Sequence, residues 1–363
     1  MTNYLLAGGG TGGHVNPLLA LAEAIRESEP KAVIIALGTK EGLESRLVPM
    51  RGFELQTIEK LPFPRKIGGY ALRFPLRLVR AVKQVSRLIV DRKIDVVVGF
   101  GGYASAPAYL AAKRVGVPYV IHEANALPGM ANRLGAKSAS AVGVAFPSTK
   151  LPGAVHTGMP LRREIESAIG NAAVAEARKY FGLKPDVATL LVTGGSLGAR
   201  RLNQTILESE GTLHAAGIQV LHITGGASEL SETSTPGLVR IKYCDRMDLA
   251  ISAANLAIAR SGASTVCEFG AFGLPSVFVP YPVGNGEQRF NAADLVAAGG
   301  AVLVDDQSFT PSFVRDTVIP LISNTRELKK MSLAARKISI ADGTDRLLQL
   351  VRGVLPTKPQ TRK

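Results

Sequence analysis

A short apolar strand, a glycine-rich turn and a helix follow one another at Tyr4–Ala7, Gly8–His14 and Pro17–Ile25. The same order returns half a chain later at Thr189–Thr193, Gly194–Gly198 and Ala199–Ile206, without repeating the sequence. A strand that is apolar at every position is buried on both faces, and a helical crossover then joins it to a parallel neighbour. Further strands are predicted at Ala32–Leu37, Ile94–Val98, Val117–Ile121, Ser140–Ala145 and Gly153–Thr157. In the second half they are predicted at Gln219–Thr224, Val239–Tyr243, Asn255–Ala259, Pro275–Val279 and Ala301–Val304. This pattern predicts an α/β chain of two Rossmann-like, doubly wound domains. Its 363 residues suit two domains of ordinary size. Gly158-Met-Pro160 reads as the linker, which sets the domains at 1–160 and 161–340.

An apolar content of 46% and 38 glycines belong to a globular chain rich in tight turns. With only Cys244 and Cys267, no disulfide framework is expected, and a reducing compartment fits. The N-terminus lacks a basic segment followed by a long apolar run, so no signal peptide is read. No stretch approaches the roughly 20 apolar residues of a spanning helix. The net charge of +14 points to acidic partners such as phosphates or an anionic membrane face. Much of that charge lies between Lys60 and Lys93, where ten cations face the single acid Asp91. Its first part, with three prolines and Gly68-Gly69, reads as loop, and Leu76–Val90 as a basic amphipathic helix suited to anionic headgroups. No nucleic-acid-binding motif accompanies the charge, and nucleic acid is not expected.

The richest chemistry lies in Arg260–Asn291. There a predicted strand ends in the small turn Ser261-Gly262-Ala263, which opens a helix whose N–H groups suit a phosphate. Glu268, inside that helix, could accept from two ribose hydroxyls. The loop after the next strand offers Gln288 and Asn291 to read sugar hydroxyls. Together these groups suggest a nucleotide-sugar pocket, although strand–turn–helix units occur in every doubly wound domain. Gly8, Gly10 and Gly13 also satisfy G-x-G-x-x-G, which raises a dinucleotide-dependent oxidoreductase. However, the second predicted strand ends in Gly38-Thr39-Lys40 without the acid that takes a ribose 2′-hydroxyl. His14 stands at the rim of that turn as a general-base candidate, or as a residue that merely packs there. Val117–Ile121 leads into His122-Glu123-Ala124-Asn125 at the carboxyl end of a strand, where open parallel sheets bind ligands.

Seven motifs occur in order: GGTGGHV (9–15), GFGGY (99–103), HEAN (122–125), GMPLR (158–162), TGGSLGAR (193–200), RSGASTVCE (260–268) and GEQRFNA (286–292). This set resembles the MurG family of bacterial N-acetylglucosaminyltransferases, in glycosyltransferase family 28, over nearly the whole chain. The resemblance implies a GT-B fold, two Rossmann-like domains facing a cleft with the C-terminal helix (about 341–355) crossing back to the first. It implies inverting, metal-independent transfer from UDP-GlcNAc to lipid I, with no cofactor. Gly195 and Ser196 would then hold the diphosphate, Arg162 would add charge, and the backbone at Cys244 would meet the uracil. Ala263, Ser264 and Thr265 would contact phosphate and nucleoside, Glu268 the ribose, and Gln288 and Asn291 the sugar. Thr11, Gly12, Gly13 and Asn125 would meet the donor from the first domain, while Gly101, Gly102 and Tyr103 would shape the acceptor site. His14 becomes the favoured base, with Glu123 as its rival. The resemblance also implies peripheral attachment to the cytoplasmic face of the cell membrane, with Lys60–Lys93 as the candidate region, and cell-wall synthesis complexes as partners. The readings kept beside it are a peripheral membrane-binding protein with a vestigial nucleotide site, a diacylglycerol glycosyltransferase and a UDP-GlcNAc epimerase.

Overall fold

The computed structural model describes residues 1–64, 68–171, 173–283 and 286–355. Arg65, Lys66 and Ile67 of the basic stretch, and the tail Pro356–Lys363, lie outside the described residues. The chain forms two units: Met1–Arg162 together with the chain from Asp342, and Arg163–Ala341.

The first unit holds β1 (Asn3–Ala7), β2 (Val33–Thr39), β3 (Glu54–Ile58), β4 (Val96–Gly99), β5 (Tyr119–Glu123), β6 (Ala141–Val144) and β7 (Ala154–His156). All pair in parallel, in the order β3-β2-β1-β4-β5-β6-β7. Successive side chains point to opposite faces, and here both faces are dry. Leu5, Ile35, Leu37 and Val97 pack toward the helices Gly69–Asp91 and Ser105–Val115. Tyr4, Leu6, Ala36, Val96 and Val98 pack with Leu18, Leu21 and Ile25 of the helix Gly12–Ser28. The last helix, Gly343–Gly353, joins that second face through Leu347, Leu348 and Val351, and Arg352 pairs with Glu29 at 2.9 Å.

The second unit repeats the plan with β8 (Thr189–Thr193), β9 (Gln219–Ile223), β10 (Thr233–Thr235), β11 (Leu238–Ile241), β12 (Leu256–Ala259), β13 (Ser276–Phe278) and β14 (Ala301–Leu303). The order is β10-β11-β9-β8-β12-β13-β14, in which β10 pairs antiparallel with β11 and the other pairs are parallel. In each sheet the connections run outward in opposite directions from a central pair, β1/β4 and β8/β12. Crevices for ligands open at the carboxyl ends of such pairs.

Three expectations change. The basic helix begins at Gly69, not Leu76, and carries Pro75 inside it. Tertiary contacts override the local breakers: the Phe74 ring meets Phe63 at 5.5 Å and Tyr70 at 6.1 Å, and the Tyr70 hydroxyl donates to the Pro62 carbonyl at 2.7 Å. Gly158–Pro160 is buried, not an open linker. A Cβ on Gly343 would stand 2.3 Å from the Met159 carbonyl oxygen, so the returning helix starts directly against it. Gln288 and Asn291 lie in the helix Glu287–Ala297, which the chain enters through Gly286 at φ 74°, and not in the preceding loop.

Each sheet buries a histidine. His122 Nε2 donates to the Gly158 carbonyl at 3.0 Å, and His222 Nε2 pairs with Asn203 Oδ1 at 3.1 Å, while neither Nδ1 has a partner among the described residues. Burial pushes both imidazoles from 6.5 down to about 4, and the Arg240 charge adds to the shift at His222. A folded state that refuses a proton the unfolded chain accepts loses stability as pH falls. The loss therefore runs from about 6.5 to about 4. Thermal unfolding is expected at a lower midpoint at pH 5 than at pH 7, and replacing both histidines with glutamine should flatten that difference. Equal midpoints in the unmodified protein would contradict it.

Candidate active site

In the first unit, two glycine loops close over the carboxyl ends of β1 and β4. A Cβ on Gly102 would stand 2.4 Å from the Gly9 carbonyl oxygen, so the two backbones touch. Gly10, Gly101 and Gly102 have φ of 91°, 90° and 81°, a region that glycine enters without strain. Ser105 Oγ ties the second loop to the first strand, 2.8 Å from the Gly101 carbonyl and 3.0 Å from that of Ala7.

His14, in the first turn of the helix Gly12–Ser28, is half-buried. Its Nδ1 lies 3.0 Å from the Gly9 carbonyl and 3.3 Å from Thr11 Oγ1. A carbonyl only accepts, so Nδ1 carries the proton and the neutral ring keeps its lone pair on Nε2. Nε2 points at the second loop, 3.0 Å from where a Cβ on Gly101 would be. Thr11 is exposed, and Gly12 and Gly13 are half-exposed beside it. Tyr103 is 37% exposed, with the Lys60 ammonium 5.2 Å above its ring.

Glu123 ends β5 at only 2% exposure. Oε1 accepts from Asn125 N at 2.9 Å and Asn125 Nδ2 at 3.5 Å. Oε2 accepts from Gly129 N and Asn132 Nδ2, both at 2.9 Å. Tyr109 in turn donates to Asn132 Oδ1 at 2.7 Å. The carboxylate thus shapes the loop that carries Asn125, with both of its oxygens occupied. Arg162, half-buried, is the last residue of this unit before the boundary.

Glu44, in the first turn of the helix Glu44–Met50, is a further residue of this site and is not legible as one in the sequence. It is 1% exposed and packed against three glycines, since a Cβ on Gly9, Gly38 or Gly42 would stand within 2.3 Å of it. Its carboxylate accepts from Gly10 N, Thr39 N and Thr39 Oγ1 at 2.8, 2.8 and 2.9 Å. Turned inward in this way, it cannot bind a ribose.

The second unit presents the corresponding loops. Gly195, Ser196 and Leu197 are exposed after β8. Among the described residues, nothing accepts from the N–H groups of Ser196 and Leu197. Gly198 and Gly225 touch backbone to backbone, since a Cβ on Gly225 would stand 2.0 Å from Gly198 N. After β12, the helix Ala263–Phe272 starts at Gly262 without an acid in its first turn. Its first helical bond is Val266 N to the Gly262 carbonyl at 3.0 Å, so the N–H groups of Ala263, Ser264 and Thr265 lie ahead of the ladder. Glu268 and Cys267 follow on the same helix. Burial, and then the Glu268 charge, push the Cys267 thiol up, so it stays protonated.

Struts fix this helix start. Arg260 donates to the Val279 and Pro280 carbonyls at 3.0 and 3.1 Å and pairs with Asp306 at 2.6 Å. Asn291, 1% exposed, donates to the Ser261 carbonyl at 3.3 Å. Gln288 Oε1 accepts from Tyr281 N at 2.9 Å, which leaves its amide nitrogen free among the described residues. Cys244 is buried just beyond β11. No cluster of three His, Cys, Asp or Glu side chains among the described residues is placed to hold a metal ion.

Residues 4–144 match the N-terminal domain of glycosyltransferase family 28, and residues 189–347 match its C-terminal domain. The chain belongs to glycosyltransferase family 28. It is 55% identical over 352 residues to the UDP-N-acetylglucosamine--N-acetylmuramyl-(pentapeptide) pyrophosphoryl-undecaprenol N-acetylglucosamine transferase of Leifsonia xyli, covering 97% of this chain and 98% of that one. A protein of the same name from Clavibacter sepedonicus is 55% identical over 363 residues, covering 99% and 98%. The crystal structure of Acinetobacter baumannii MurG superposes with a TM-score of 0.78 at 26% identity, covering 98% of this chain and all of that one. The fold is of the GT-B class, and the family 28 matches fall one on each sheet.

The contact between the two loops of the first unit gives a direct test. Gly102→Ala combines a positive φ with a backbone collision, and is expected to cost about 1–3 kcal/mol in chemical denaturation. Unchanged stability would mean that the loops do not pack as described.

Proposed function

We propose that this chain transfers N-acetylglucosamine, with inversion, from UDP-GlcNAc to the C4 hydroxyl of the N-acetylmuramoyl-pentapeptide carried on undecaprenyl diphosphate (lipid I). The products are lipid II and UDP. The observation that carries the proposal is the 55% identity, over 97% of the chain, to a relative named for this transfer.

In this reading each unit contributes its own groups to the reaction. His14 Nε2 takes the proton of the C4 hydroxyl, whose oxygen attacks the anomeric carbon from the face opposite the leaving group. The bond from that carbon to the phosphate oxygen breaks, and UDP leaves with the electron pair. The open N–H groups of Ser196 and Leu197, and the helix start at Ala263–Thr265, take up the diphosphate charge. Arg162 adds a positive charge. Glu268 accepts from the ribose hydroxyls, the Gln288 amide reads the sugar, and the chain at Cys244 borders the uracil. Asn291 holds the Ser261 turn for this task. Tyr103 and the Gly101-Gly102 turn shape the acceptor side, and Glu123 shapes the loop of Asn125 without taking a proton itself.

Transfer of labelled N-acetylglucosamine to a short-chain lipid I analogue, with UDP-glucose as control, tests the reaction. Strong preference for the acetamido sugar is expected. His14→Ala should lower kcat by about 100-fold or more with little change in the KM for UDP-GlcNAc. UDP binding without transfer to this acceptor would overturn the acceptor assignment.

No helix among the described residues is long and apolar enough to cross a membrane. We infer peripheral attachment at the cytoplasmic face, and support for attachment to a membrane surface comes from the helix Gly69–Asp91. It exposes Leu72, Leu76 and Val79 at helical spacing beside the exposed cations Arg73, Arg80, Lys83 and Arg87. Arg77 is otherwise engaged, paired with Glu59 and 5.1 Å from the Tyr70 ring centre. Replacing Arg73, Arg80 and Arg87 together is therefore expected to weaken binding to phosphatidylglycerol-containing vesicles, most clearly at low salt, while Arg77→Gln should matter less. Undiminished vesicle binding by the triple variant would discard this surface.

A further inference from the structure

Glu44 and His14 never touch, yet one peptide group joins them. Gly10 N–H donates to Glu44 Oε2 at 2.8 Å, and the carbonyl of the same peptide, that of Gly9, accepts from His14 Nδ1 at 3.0 Å. The peptide is planar, so fixing its N–H fixes its carbonyl. It is also a dipole, and a carboxylate on its N–H end increases the negative charge on its oxygen. The arrangement matches a carboxylate that orients a catalytic imidazole directly, with one amide inserted between the two groups.

Two features show that this contact is built. Glu44 is 1% exposed and Thr39 2%, so the carboxylate is held away from water by three donors. The glycines also pack closely around it, because a Cβ on Gly9, Gly38 or Gly42 would collide with the Glu44 side chain. The Gly9–Gly10 peptide cannot rotate without losing the carboxylate, and Gly10, at φ 91°, holds a turn that favours glycine.

We propose that Glu44 is a positioning residue for the transfer reaction, acting through the Gly9–Gly10 peptide to hold the His14 ring in the tautomer that leaves Nε2 open to the acceptor hydroxyl. This rests on the reading of His14 as the base. Glu44 meets no substrate and moves no proton. It sets the direction and the polarity of the carbonyl that Nδ1 must face.

The test uses the full chain. Glu44→Gln keeps the shape but presents either a weaker acceptor or a second donor to Gly10 N–H. It is expected to lower kcat by about 10-fold or more while the KM for UDP-GlcNAc stays within about two-fold. In a His14→Ala background, the same change should cost less than about two-fold, because residues acting as one unit are not additive. Nitrogen-15 spectra of the free protein should show the His14 ring mainly protonated at Nδ1, and moving toward the Nε2-protonated form in Glu44→Gln. The spectra do not depend on His14 being the base. Full activity in His14→Ala would remove the base assignment, while the spectral shift would still report the relay. An unshifted tautomer, or an equal loss in both backgrounds, would overturn the relay whatever His14 does. If Glu44→Gln fails to fold, Thr39→Val removes one of the three donors and should give smaller changes in kcat and tautomer. No change in either would count against the proposal.

Discussion

Parallel strands buried on both faces leave a ligand only their carboxyl ends, and in both units the chain closes those ends by setting glycine backbone on backbone. Gly102 rests on the Gly9 carbonyl in the first unit, and Gly225 rests on Gly198 in the second. Any side chain there would wedge the loops apart, and with them the N–H groups and the imidazole that they carry. The apolar sheets supply the rigidity behind this contact. Leu5 lies in register with Ile35 on one side and Val97 on the other, so β1 has no freedom to slide under its loop.

In the second unit, rigidity at the helix start comes from polar struts. A helix N-terminus attracts an anion only while its first N–H groups stay fixed and uncompensated. The first turn of Ala263–Phe272 contains no acid to compete for them. Arg260 spans from the end of β12 to two carbonyls after β13 and to Asp306 after β14. Asn291 ties the next helix to the Ser261 carbonyl. The groups expected to read the sugar are thereby mechanically linked to the groups expected to hold the phosphate.

The legible parts of the sequence are those where one residue type has one physical reason to be present. Val96–Val98 reads as a buried strand because nothing polar interrupts it, and Gly101-Gly102 reads as a turn because glycine takes φ near 90° and 81° without strain. Two of the four edge strands, β3 and β10, are not legible, for the opposite reason. Glu-Leu-Gln-Thr-Ile of β3 and Thr-Ser-Thr of β10 are largely polar and take their conformation from the strands beside them. The helix containing Gln288 and Asn291 was hidden by the Pro- and Gly-rich run before it. Glu44 is not legible because its role depends on Gly9 and Gly10, distant in sequence.

The inward turn of Glu44 bears on which group can take a proton. Two carboxylates lie beneath the loops of the first unit, Glu44 under the Gly9–Gly10 turn and Glu123 under the Asn125 loop. Each is nearly inaccessible and each accepts from backbone N–H groups. Both are turned inward onto these N–H groups, so neither presents its carboxylate to a ligand. His14 is placed the other way round. It is half-open, its Nδ1 is committed to a carbonyl, and its Nε2 is turned outward from its own loop toward Gly101. Under the proposed mechanism, the two acids serve by holding still the loops that carry the imidazole and Asn125.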